Sequence, residues 1–99
     1  MRQIPEEALT TYLKALIDKV YKILPMKEEN SDTLTCYLTG LIHELTGCYQ
    51  LYYELVGEPR FLSVVNIVKY LESNEYDTAT CKREVFKAIR LIQNMTKEG

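Results

Sequence analysis

Cys36, His43 and Glu44 fall within nine consecutive positions, and these are the residue types from which nucleophiles, general bases and metal sites are built. Their spacing works against each of those uses. His43 and Glu44 are adjacent, and neighbours on a helix point about 100° apart, so the two do not face each other. Cys36 and His43 share a helical face but lie two turns apart, and Cys81 belongs to a different element. No CxxC, HExxH or carboxylate-x-x-His pair brings ligands together around a metal ion. GxGxxG, Walker and GxSxG motifs are absent, and glycines at 40, 47, 57 and 99 are too dispersed to cradle a phosphate. The sequence therefore predicts no catalytic residues, no metal, no cofactor and no small-molecule substrate, and the chain is not expected to be an enzyme. Glu44 shares an apolar flank with Tyr37 and Leu51, where a carboxylate needs a cation or a hydroxyl beside it.

The element that carries these residues is itself unusual. From Asp32 to Val56 the chain reads as one amphipathic helix, capped by Gly57, with Glu44 the single formal charge between Asp32 and Glu54. Leu34, Leu38, Leu41, Leu45, Cys48, Tyr52 and Leu55 repeat in steps of four and three and form the core stripe. Opposite them lie Cys36, Thr39, Gly40, His43, Thr46, Gly47 and Gln50, where a surface helix ordinarily places Lys and Glu. This face is expected to be covered. Cys36, Thr39, Gly40, His43, Gly47 and, on the flank, Tyr53 are the predicted protein interface. The cover is either the same helix of a second subunit, since two-fold association is the commonest oligomeric solution, or another helix of the same chain crossing at the glycines.

Three further helices complete an all-α, single-domain antiparallel four-helix bundle around this long, nearly uncharged second helix. The first runs over about 5–24, starting at Pro5 and stopped by Pro25, with Leu9, Leu13, Leu16, Val20 and Leu24 on one stripe. Met26 to Ser31 read as a loop, and Asn30, Ser31 or Asp32 can cap the helix that follows. The third helix, 59–73, opens on Pro59 and places Phe61, Val64, Val65, Ile67, Val68 and Leu71 on one face. Its β-branched run makes a strand the local competitor over Leu62 to Val68, but a lone strand leaves its backbone unsatisfied. The fourth helix, 77–97, is capped by Asp77 or Thr78 and buries Cys81, Val85, Ala88, Ile89, Ile92 and Met95.

The back of that fourth helix carries Arg83, Lys87, Arg90 and Lys97, with Lys82 beside them, and this is the candidate nucleic-acid contact. A solvated face, or ion pairs with Glu28, Glu29, Glu72 and Glu75, competes with it. The whole chain gives no electrostatic pull towards nucleic acid, because 12 basic and 14 acidic residues leave a net charge of −2. With 99 residues, 46% hydrophobic and 26% charged, one modest core is expected and self-association would bury more surface. The three cysteines are odd in number and widely spaced, which points to a reducing, cytoplasmic setting. Neither a signal peptide nor a membrane span is expected, since acids follow Pro5 at once and polar residues break the least charged segment. Tyrosine is abundant, at 8 residues, and suits contact surfaces because a stiff ring buries area while its hydroxyl finds a polar partner. The expected function is protein association as a homodimer, adaptor or regulator, with nucleic-acid binding through the fourth helix as the alternative.

Overall fold

The four predicted stripes are where the core forms. In the computed structural model, which describes residues 6–51 and 57–97, five helical segments are present: α1 (Glu6–Tyr21), α2 (Ile23–Glu28), α3 (Leu34–Leu51), α4 (Pro59–Ser73) and α5 (Thr78–Lys97). No strand occurs among the described residues. The fold is all-α and compact, with a Cα radius of gyration of 13.5 Å. Leu13, Leu16 and Val20 of α1, Leu38, Leu41 and Leu45 of α3, the six stripe residues expected of α4 and the six expected of α5 meet in one cluster, together with Ile23 and Leu24 of α2. Phe61 is the largest side chain sealed entirely from solvent. The β-branched run of α4 is helical throughout, because its broad apolar face is enclosed by α3 on one side and α5 on the other. Among the described residues no polar or charged side chain is buried.

The first predicted helix needs correction. Pro25 does not end it. A proline nitrogen cannot donate to the carbonyl four residues earlier, which here is Tyr21, so the break falls upstream of the ring rather than at it. Lys22 forms a turn while donating its amide to the Asp18 carbonyl at 3.1 Å. Helix then resumes at Ile23, with Pro25 in the first turn of α2, where its missing N–H leaves no bond unmade. Met26 to Glu28 are therefore helical rather than loop. The stop comes from Asn30, whose φ of 56° is left-handed. Its amide bonds to the Lys27 carbonyl at 3.1 Å and that of Ser31 to Met26 at 3.0 Å, which satisfies two carbonyls at the end of α2. Ser31 then leads into α3: its Oγ accepts from the Thr33 amide at 3.2 Å.

α3 continues unbroken through Gly40 and Gly47 to Leu51. The expected extension to Val56, and with it Tyr52, Tyr53 and Leu55, lies outside the described residues. Gly57 has a φ of 82°, a conformation that excludes an unstrained side chain. Glu58 caps α4 by accepting from the Arg60 amide at 3.1 Å, and Asp77 caps α5 by accepting from the Thr80 amide at 2.8 Å. α1 packs along α5, α5 along α4 and α4 along α3, with α2 bridging α5 and α3. α1 and α3 do not run close along their backbones.

Candidate functional site

Across the gap between α1 and α3, side chains do what backbones do not. Glu44 Oε2 accepts from the Tyr12 hydroxyl at 2.8 Å and from Lys19 Nζ at 2.8 Å. Tyr37 reaches back from α3 to donate its hydroxyl to the Lys19 carbonyl at 2.6 Å. The Lys19 ammonium also stands 5.9 Å from the centre of the Tyr12 ring. The sequence predicts a cation or a hydroxyl beside Glu44, and α1 supplies one of each. A groove of about 460 Å³ lies over this seam, lined by Lys19, Lys22, Cys36, Tyr37, Gly40, Leu41 and Glu44.

Burial and hydrogen bonding set the titration of the cluster. Burial alone would raise the Glu44 carboxyl, but hydrogen bonds from Lys19 and Tyr12 and the Lys19 charge outweigh it and hold the group below its usual range. Burial, then Cys48 and Glu44, push the Tyr12 phenol far above its ordinary value. A carboxylate held ionised is a weak base and a phenol held protonated is a weak acid, whereas general catalysis favours groups poised near the working pH. Among the described residues no three His, Cys, Asp or Glu side chains converge as they would around a metal ion. No helix among them is long and apolar enough to cross a membrane.

With Glu44 turned inward, the rest of α3 presents no charge to solvent. Thr35, Cys36, Gly40, His43, Thr46, Gly47, Gln50 and Leu51 are all exposed. A Cβ placed on Gly40 or Gly47 meets nothing within 4 Å. No other helix of the chain therefore crosses at those glycines among the described residues, and the expectation of an intramolecular cover is corrected: the periodicity showed which side faces inward, but lack of charge opposite does not itself bring a neighbour there. Thr39 is set apart from the other predicted contacts. It is half-buried, and its hydroxyl donates to Glu72 Oε2 of α4 at 3.2 Å. Tyr53 lies outside the described residues.

The predicted basic face of the last helix is exposed at Arg83, Lys87 and Arg90; the side chain of Lys97 lies outside the described residues. The ion pairs expected with Glu28, Glu29, Glu72 and Glu75 do not form among the described residues. Arg83 instead meets its neighbour Glu84 at 3.4 Å, and Lys87 and Arg90 make no ion pair there. Sequence reasoning missed two features. One is the exposed Tyr21–Phe86 ring pair, with centroids 6.4 Å apart, because the two residues come from elements distant in sequence. The other is Arg60, which forks onto both Glu58 oxygens at 2.8 and 3.0 Å and donates to the Asn94 carbonyl of α5 at 3.3 Å. Compared with known proteins, the chain matches no family model, no curated protein and no solved structure.

Proposed function

We propose that this chain is a non-enzymatic protein that works by association, first with a second copy of itself, through the outward face of α3. It would serve as a homodimer, or as an adaptor or regulator within a larger assembly. The observation that carries this is the surface of α3: an 18-residue helix whose exposed positions hold no formal charge, while α1 and α5 expose Lys14, Asp18, Lys82, Arg83, Lys87 and Arg90. Helices that meet only water normally carry charge there. Two solvent-facing glycines add to the case. Each costs the helix about 1 kcal/mol relative to alanine, and nothing among the described residues uses the space they leave. A facing backbone would.

The wider arrangement we infer is an antiparallel four-helix bundle in which α1 and α2 together form the first arm. Supporting it, the start of α4 touches the end of α5 through Arg60 and Asn94, early α3 meets late α4 through Thr39 and Glu72, and late α3 meets early α4 where Tyr49 stacks on Phe61 at 6.3 Å. In this arrangement α3 stands at a corner rather than at the centre.

At 1.5 Å per residue α3 spans about 27 Å, so its outer strip covers roughly 300 Å², below the ~800 Å² per partner of a standard interface. Association through α3 alone is therefore expected to be concentration-dependent, strengthened where the α1/α3 groove joins the contact. Sedimentation velocity over a wide concentration range tests this. The mass should rise towards two chains, and Gly40→Glu or Gly47→Glu should hold it at one while circular dichroism stays unchanged. A single-chain mass at every concentration, or dimers untouched by either glutamate, would refute the proposed face.

A further inference from the structure

The outer face of α5 combines charge with exposed aromatic surface. Arg83, Phe86, Lys87 and Arg90 line one shallow depression, at helical spacings that place them on one face. Phe86 is 44% exposed and Tyr21, beside it on α1, 53% exposed. The two rings are tilted at 54° to each other with centroids 6.4 Å apart, and both residues are exposed. The exposed phenylalanine stands among three cations, of which Arg83 meets Glu84 at 3.4 Å while Lys87 and Arg90 have no acidic partner among the described residues.

We propose that Tyr21 and Phe86 form a stacking platform for unpaired nucleic-acid bases, with Arg83, Lys87 and Arg90 holding the phosphates of the same strand. Unpaired bases offer a free π face to an aromatic ring, whereas the bases of a duplex are already stacked on one another. The helix rise separates Arg83 from Lys87 by about 6 Å and Lys87 from Arg90 by about 4.5 Å along the axis, which suits successive phosphates of a strand. An acidic peptide would answer the charges and leave the rings uncovered. A membrane would need a broad apolar face, and that of α5 is spent in the core: Cys81, Val85, Ala88, Ile89, Ile92 and Met95 are all buried. The overall charge of −2 gives no general attraction, so binding depends on this patch. α5 and α3 do not pack closely on each other, and this proposal is independent of the association through α3.

Fluorescence anisotropy with labelled oligothymidylate and oligouridylate of about 12 nucleotides tests it, a length that spans the usual single-strand site. At low salt at least one strand should bind, and three phosphate contacts predict a slope of log affinity against log salt of about −2. The duplex of equal length should bind about tenfold more weakly, and Phe86→Ala should weaken the strand about fivefold or more without altering the slope, since a stacked ring adds affinity but no charge. Replacing Arg83, Lys87 and Arg90 by glutamine should flatten the slope. Oligodeoxyuridylate, which differs from oligouridylate in the sugar alone, then assigns the sugar. Phe86→Tyr, which retains a ring, should bind as the parent does and so separates stacking from any effect on folding. Failure of both oligomers to bind at low salt would overturn the proposal. So would duplex binding as tight as the strand and indifferent to Phe86→Ala, or binding to phosphatidylserine vesicles in place of either oligomer.

Discussion

Glu44 is the one charge on α3, and its environment fixes how it contributes to stability. The folded carboxyl titrates below its reference value of 4.5. Its contribution is complete above that pH and is lost as pH falls through the lower folded value. For Tyr12 the sign is reversed: the phenol is raised above 10.0, so its contribution is complete below that pH and fades only as pH rises through the folded value. The fastening should thus hold evenly from about pH 5 to about pH 10. Lys19 and Glu44 keep 44% and 33% of their side chains exposed, and solvent screening limits the pair to about 0.5–1 kcal/mol. Glu44→Gln should lower the urea-unfolding free energy at pH 7 by that amount, and the difference from the parent should shrink as pH falls below 4.5. Equal stability of the two at pH 7 would show that the cluster contributes nothing. That Glu44 required partners was legible from its flank. Which partners was not, because Tyr12 and Lys19 lie 32 and 25 residues away and extend long side chains from a helix whose backbone stays distant. Thiol labelling reads the same scale: exposed Cys36 should react first, half-buried Cys48 more slowly and buried Cys81 only on unfolding.

At the scale of elements, periodicity was the informative signal. The stripes in α1, α3, α4 and α5 could be read because burial selects apolar residues at helical spacing and nothing else in the chain imitates that pattern. Punctuation was harder. Pro25 acts on a carbonyl one turn before itself, and the helix recovers around it, so the position of the proline did not give the position of the break. Asn30, which does end α2, was recognised only as a possible cap for the following helix. The glycines of α3 supply a prediction with a definite sign. In a lone chain, Gly40→Ala and Gly47→Ala should each stabilise folding by about 1 kcal/mol, since a β-carbon fits in open space and helical propensity improves. The same substitutions should weaken self-association if a partner backbone lies there. Chemical denaturation of dilute protein, paired with sedimentation of concentrated protein, separates the two effects. Gly57→Ala should act in the opposite direction and lower stability by about 1–2 kcal/mol, because its φ of 82° strains any β-carbon.

For the whole molecule, the sequence made clear that α3 lacked an ordinary solvent side but not that the side would stand open. Patterning reports the preference of a surface, and a preference for cover is met only where a neighbour exists. Stability rests on the core layer in which Phe61 of α4 is sealed from solvent with Tyr49 of α3 stacked on it. Phe61→Ala should cost about 3–5 kcal/mol, a large share of the 5–15 kcal/mol by which a typical domain is folded, and a fall in thermal midpoint of many degrees would register it.

The seam between α1 and α3 gives the molecule a preferred way to come apart. Side-chain bonds from Tyr12, Lys19 and Tyr37 help to close that side, whereas α1 and α5, α4 and α5, and α3 and α4 pack closely along their backbones. Native-state hydrogen exchange should accordingly find the amides of α3 released by a partial opening well below the cost of global unfolding, with those of α5 the last to exchange. The helix that offers itself to a partner would then also be the leaf that swings most easily, and a second copy bound along it would act as a clasp, slowing deuterium uptake there before anywhere else.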